Sequence, residues 1–188
     1  MSALEPYDAP FRLRVLRALS ASLEQITVAN GYNHDLTKRV FRGRDLFGGE
    51  DDPVPMVSIL EPPLPIDQLV APPLATNSTG DWDLLLQGFV DDDLRNPCDP
   101  AYLLLADVKR RLAIEKARTI SNIPGLVGRG TADPFGMGTN KNAVSNIVKE
   151  IVIGPGVVRP PGDGISDKAY FWLNITIKIA EDIERPFL

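Results

Sequence analysis

Apolar positions along the chain recur with two different periods, and the change of period marks where helix gives way to strand. From about Ala9 to Ile26, Leu16, Leu19, Leu23 and Ile26 follow a 3-4-3 spacing. That spacing predicts an amphipathic helix with Pro10 in its first turn, Asp8 as its cap and Arg12, Arg14 and Arg17 on a solvated face. A second helix is predicted from the entrance Asn96-Pro97-Cys98-Asp99-Pro100 to about Ala117, where Asp99 accepts free amides of the first turn and Pro100 sits where no amide hydrogen is needed. Its stripe is Leu104, Leu105, Val108 and Leu112, with Lys109, Arg110, Arg111 and Glu115 turned to water.

Strand patterns fill the remaining ordered stretches. Thr37 to Arg42 is β-branched and aromatic, and follows the turn signal Asn30-Gly31-Tyr32. Val54 to Glu61 reads as a second strand, with Pro55 confined to its start or to an edge because it has no amide hydrogen to donate. Asp81 to Val90 is a third, closed by Asp91-Asp92-Asp93. Ser145 to Ile153 and Lys168 to Ala180 are the last two, separated by a turn-rich break from Gly154 to Asp167. In the final strand Phe171, Leu173, Ile175, Ile177 and Ile179 alternate with Tyr170, Trp172, Asn174, Thr176 and Lys178, so one face is core and the other half polar. The expected fold is α+β, a single domain over 1–188 with an antiparallel or mixed sheet of about five strands and two helices on one face, in the order α-β-β-β-α-β-β. Two long arms interrupt it, one proline-rich at about 62–80 and one glycine-rich at about 118–145.

Composition narrows the functional classes. With 188 residues, 44% apolar and 24% charged, the chain has the balance of a globular domain that builds a core without metals or disulfides. A single cysteine, Cys98, excludes an intrachain disulfide, and with His34 as the one histidine a Cys/His zinc site within one chain is excluded too. The net charge of −5 argues against gripping nucleic acid by phosphate neutralisation. No apolar run approaches the ~20 residues of a membrane span, and the N-terminus lacks a signal-peptide pattern, so synthesis in the cytosol without a membrane is expected. Gly136 to Lys141 is glycine-rich, but lacks both the spacing of a phosphate-binding loop and a strand leading into it.

Beyond pattern, four stretches carry a likeness: Leu16-Arg-Ala-Leu-Ser-Ala-Ser-Leu-Glu-Gln-Ile26, Thr27-Val-Ala-Asn-Gly-Tyr32, Val40-Phe-Arg-Gly-Arg44 and Pro55-Met-Val-Ser-Ile-Leu-Glu61. With the element order and the two arms, they resemble the tail-terminator (tail-completion, minor tail protein U-like) family of long-tailed bacteriophages, over roughly the first 110 residues locally and beyond that by topology. The resemblance implies a structural virion protein at the head-tail junction, assembled in the host cytoplasm, with no enzymatic activity and no cofactor. It implies a homohexameric ring that caps the tail tube, ends its polymerisation and meets a head-completion or stopper protein, while DNA passes through the lumen without specific binding. A tube grows because each ring offers a top surface equivalent to the one it sits on, and a terminator matches one face and breaks the other.

On that reading the arms and the loop 43–53 carry the subunit and tube contacts. Arg42, Arg44, Phe47, Leu69, Val70, Phe135 and Met137 are the interface candidates, the apolar ones because exposed loop hydrophobes need partners; the alternative is that they fold back onto their own domain. Glu50, Asp51, Asp52, Asp91, Asp92 and Asp93 are candidates for a repulsive lumen wall; for the triplet at 91–93 the alternative is a solvated strand end. Another neck ring protein is the nearest rival function. A small α+β ligand-binding or enzyme domain is the other, with Arg42, Arg44 and Asp45 as its nearest polar cluster.

Overall fold

The computed structural model describes residues 8–45, 52–63, 73–120, 130–138, 146–162 and 166–188. In chain order they form α1 (Phe11–Leu23), β1 (Val40–Arg42), β2 (Met56–Leu60), β3 (Asn77–Val90), α2 (Asp99–Lys116), the two-residue strands β4 (Thr119–Ile120) and β5 (Thr131–Ala132), β6 (Ile147–Arg159) and β7 (Ala169–Asp182). β1, β2, β3, β7 and β6 lie side by side in that order in one mixed sheet, and β4 pairs with β5 in a separate ribbon. Only β1 against β2 is parallel; the other ladders of the large sheet are antiparallel. The α+β class, the five-stranded mixed sheet and the two helices on one face are as expected.

Side-chain alternation explains the layering. Along β3, Trp82, Leu84 and Leu86 point to one face, and along β7 Phe171, Leu173, Ile175, Ile177 and Ile179 do the same. Phe11, Val15, Leu19 and Leu23 of α1 and Ala101, Leu104, Leu105, Val108 and Leu112 of α2 fill that face. The stripe on α1 is thus an i, i+4 line beginning at Phe11, and Leu16 sits half-buried at its margin. On the opposite face Met56, Phe89 and Tyr170 form a second, smaller cluster with Phe41, Val54 and Trp172. No helix covers this second face among the described residues.

The helix ends differ from expectation. Pro10, not Asp8, stands at the N-cap of α1 without a side-chain bond. Asp8 pairs instead with Arg17 at 3.1 Å, while the first helical amide, of Phe11, donates to Pro186 O at 2.7 Å. The C-terminal segment thereby caps the first helix, satisfying an amide that helix geometry leaves free. α2 likewise begins one residue early, with Cys98 as N-cap, Asp99 inside the first turn and no side-chain cap.

Strand boundaries also moved, for reasons of edge chemistry. β1 keeps three residues because Thr37 and Lys38 are spent in a turn: Asp35 Oδ1 accepts from Thr37 N at 2.8 Å, and Lys38 adopts φ 58°. The hydrogen bonds of Asp35 to the Thr37 side chain and backbone hold its carboxyl below the ordinary aspartate value. β3 begins at Asn77, so the proline-rich arm ends before residue 77 rather than at 80. β6 runs straight through Gly154-Pro155-Gly156 to Arg159 where a break was expected. As the edge strand it tolerates a proline, and the ladder absorbs the residues by a register shift between Ile153 and Gly156. The arm at 118–145 is partly structured: β4, β5 and a 3-10 turn at Pro134–Gly136 lie within it.

Gly88 is the tightest point of the β3–β7 ladder, since a Cβ there would meet Phe171 Cε1 at 2.0 Å. Gly88→Ala is expected to cost about 1–3 kcal/mol by overpacking, with part of the loss recovered by Phe171→Leu in the same chain. Urea unfolding of the two variants checks this; an unchanged midpoint for Gly88→Ala would sink it.

Candidate functional site

Charged residues that the helical pattern turns to water instead tie the elements together from inside. Asp107 of α2 is buried and accepts from Asn33 N, Asn33 Nδ2 and His34 N at 3.0, 3.0 and 3.1 Å, with His34 Nδ1 2.8 Å away. The one histidine is therefore held by a structural carboxylate in the loop that follows α1. Glu115, expected on the solvated face, is buried. Its Oε1 accepts from Ser22 Oγ of α1 at 3.1 Å and from Arg111, whose Nε also donates to Ser22 Oγ at 2.9 Å. Its Oε2 accepts from Phe135 N at 3.2 Å and lies 3.6 Å from Arg118. One carboxylate thus joins both helices and the 3-10 turn. Asn146 does the same for the chain end, donating to Arg185 O and Leu188 O and accepting from Asp182 N.

A groove of about 950 Å³ lies where β2 ends. Leu16, Ile59, Leu60, Leu84, Leu85 and Pro155 give it an apolar lining, and Arg42, Asp45, Glu61 and Asp83 stand around it. Arg42 donates from Nη1 to Ser20 Oγ at 2.9 Å, and that hydroxyl in turn donates to Leu16 O at 2.9 Å. The guanidinium therefore braces β1 against α1. Neither His34 nor Cys98 lines the groove; Thr176 and Asp83 do, and the Thr176 hydroxyl donates to the Asp83 carboxylate at 2.5 Å. Among the described residues, no group of three His, Cys, Asp or Glu is placed to hold a metal ion. No helix among them is long and apolar enough to cross a membrane.

A smaller groove of about 400 Å³ lies on the second face of the sheet, lined by Leu85, Gln87, Pro155, Gly156, Val157, Trp172 and Asn174. The pattern hides it because Trp172 looks like an ordinary alternating strand residue and Val157 falls in the expected break at 154–167, which β6 in fact crosses. The signal was present in β7, where an indole stands on the face that should be polar.

The chain was compared with known families and with curated proteins. No family model and no curated protein matches it.

Besides Arg42, the interface and lumen candidates separate into four groups. Phe47, Leu69, Val70, Glu50 and Asp51 lie outside the described residues. Phe135 and Met137 were expected as outward anchors; both pack half-buried against the domain's own core. They do so because Glu115 draws the Phe135 amide inward and Met137 O accepts from Val148 N of β6 at 2.7 Å. Arg44 and Asp52 are paired with each other, and the Arg44 guanidinium stacks 4.9 Å from the centre of the Phe41 ring. Asp52 is accordingly a neutralised loop brace rather than a free wall acid. Asp91 pairs with Lys168 at 2.8 Å, Asp93 accepts from Arg95 N and Asn96 N, and all three acids of the triplet are exposed.

The Asp91 hydrogen bond holds the Lys168 ammonium above the ordinary lysine value. Whatever this tie contributes is in place below that ordinary value and fades only as pH climbs through the raised one. The buried knot is the more consequential feature. Glu115→Ala, which strands Arg111, Ser22 Oγ and the Phe135 amide, is expected to lower stability by about 3 kcal/mol. It should also loosen the segment 130–138, which hydrogen exchange at the Phe135 amide reads directly. Unchanged protection there would show that the carboxylate does not hold the turn.

Proposed function

We propose that this chain is a structural ring subunit of a long-tailed phage that caps the tail tube, ends its growth and meets a head-completion protein. One observation carries the reading. The four stretches that resemble the tail-terminator family are not scattered: they are α1, the turn after it, β1 and β2, packed as one continuous unit. Arg42 of β1 bonds Ser20 of α1, Leu36 N donates to Ile26 O at 2.9 Å, and Val57 N of β2 donates to Arg39 O at 3.0 Å. Stretches of likeness that fall together in one packing unit are what a retained structural module would leave.

The buried carboxylates support the same side, since Asp107 and Glu115 are spent on holding loops. With Asp91 paired to Lys168, Asp92 and Asp93 at the exposed strand end are described acids available to a repulsive lumen wall.

The 950 Å³ groove beside Arg42 favours a second reading, a small-ligand module, with an apolar ligand carrying a carboxylate that Arg42 would meet after releasing Ser20. One experiment separates the two. Purified chain is mixed with isolated tail tubes and, in parallel, with portal-bearing heads, and both are imaged in negative stain. Terminal density on tubes with arrested elongation is the expected result. Binding to portals alone would move the chain to the stopper class, and a monomer that touches neither would leave the ligand module as the better reading.

A further inference from the structure

Among the described residues, two apolar faces of this domain have no covering element, and they are of different shape. The first is the outer side of α2, where Tyr102, Leu103 and Ile114 are exposed by 59, 51 and 47%, Ala106, Ala113 and Ala117 lie between them, and the one cation in their midst, Arg110, is turned to Gly31 O and the Tyr32 ring. A solvent face is ordinarily polar, and three alanines let another surface approach the helix closely. The second is the 400 Å³ groove across β3, β7 and β6, floored by Leu85, Trp172 and Val157. One is a ridge and the other a trough.

Charge aligns the two. Tyr102, Lys109 and Lys116 stand at i, i+7 and i+14, one line along the helix, at about 10 and 21 Å from the first residue. On the open face of β3, Gln87, Asp83 and Asp81 form a line of their own, at about 13 and 20 Å from Gln87. With Tyr102 over Gln87, Lys109 falls near Asp83 and Lys116 near Asp81. Neither lysine forms an ion pair among the described residues. Asp83 accepts from Thr176 Oγ1 at 2.5 Å, and Lys178, opposite Asp81 in the ladder, is bonded to Glu150 at 3.1 Å, so one lysine is shared by two acids and Asp83 has no cation of its own among the described residues.

We propose that the outer face of α2 docks lengthwise into the open-face groove of a second copy of this chain, Tyr102 and Leu103 entering beside Trp172 and Lys109 and Lys116 meeting Asp83 and Asp81. The ridge and the trough are different surfaces, so the contact is head-to-tail and propagates: it closes into a ring if the rotation between copies divides a full turn and otherwise runs on as a filament. The sheet gains its missing third layer. This contact rests on the ring reading above for its closure, and on the two faces alone for its geometry.

Because the contact is head-to-tail, two broken surfaces complement each other. Leu103→Asp spoils the ridge and Val157→Arg spoils the trough; both positions are exposed, at 51 and 43%, so neither is expected to shift the thermal midpoint. Ala106→Arg serves as a second ridge variant should Leu103→Asp fold poorly. By light scattering after size exclusion, the unaltered chain is expected to associate, each variant alone to run at the mass of one copy, and an equal mixture of the two to form a 1:1 pair that grows no further. A mixture that stays monomeric, or variants that assemble as the unaltered chain does, would overturn the contact; in the latter case tube capping would still stand, since it is assayed separately. An unaltered chain that remains monomeric overturns the contact whatever the capping assay shows.

Discussion

Fourteen residues of β3 pair with fourteen of β7, and this one ladder sets where everything else can sit. It is long enough to give α1 and α2 a common floor, and its alternation sends Trp82, Leu84 and Leu86 with Phe171, Leu173 and Ile175 to the same side. A one-residue slip would turn all of them out to solvent. Gly88 secures the register from within, because only a residue without a side chain leaves room for the Phe171 ring opposite. The helices then have one face to cover, and the sheet keeps another that they cannot reach.

Buried acids do the second job, fixing irregular segments onto that layered frame. Asp107 and Glu115 lie eight positions apart on α2, about two turns, so both look inward along the helix's flank and each collects donors from a different segment. Asp107 holds the turn after α1; Glu115 holds α1 itself and the turn before β6. A carboxylate taken from water is costly unless several donors meet it, and here the donors are the backbone amides of Asn33, His34 and Phe135 together with the Asn33, Ser22 and Arg111 side chains. Two acids of α2 thus go to internal ties, while its outer side carries tyrosine, leucine, isoleucine and alanine with a line of lysines beside them.

Much of this frame was legible from periodicity. The alternation in β7 and the stripe on α2 come from side-chain spacing that burial enforces directly, so fold class, element order and helix face follow from the pattern. What escaped is what depends on partners distant in sequence. Glu115 reads as a solvated charge because nothing within its own helix announces Ser22 or Phe135, and Phe135 and Met137 read as outward anchors because glycines surround them. The Gly154-Pro155-Gly156 stretch reads as a turn, since the edge position that excuses a proline is a property of the sheet and not of the segment. At the candidate site, Arg42 was visible as a polar residue, but its commitment to Ser20 was not. The trough on the second face was hidden by the alternation that made β7 so plain.

Sheet edges decide how such a molecule can meet another. An exposed, flat edge invites indiscriminate strand pairing, and each edge here is blunted. β1 is three residues long, and β6 carries Pro155 and two register shifts. The length of β3 that runs past the end of β2 presents Asp81 and Asp83, charges that resist an added strand. With the edges closed to pairing, specific association is left to the faces, where shape and charge discriminate. A chain that uses aspartates both to refuse strands at its edge and to receive lysines on its open face obtains solubility and specificity from the same residues.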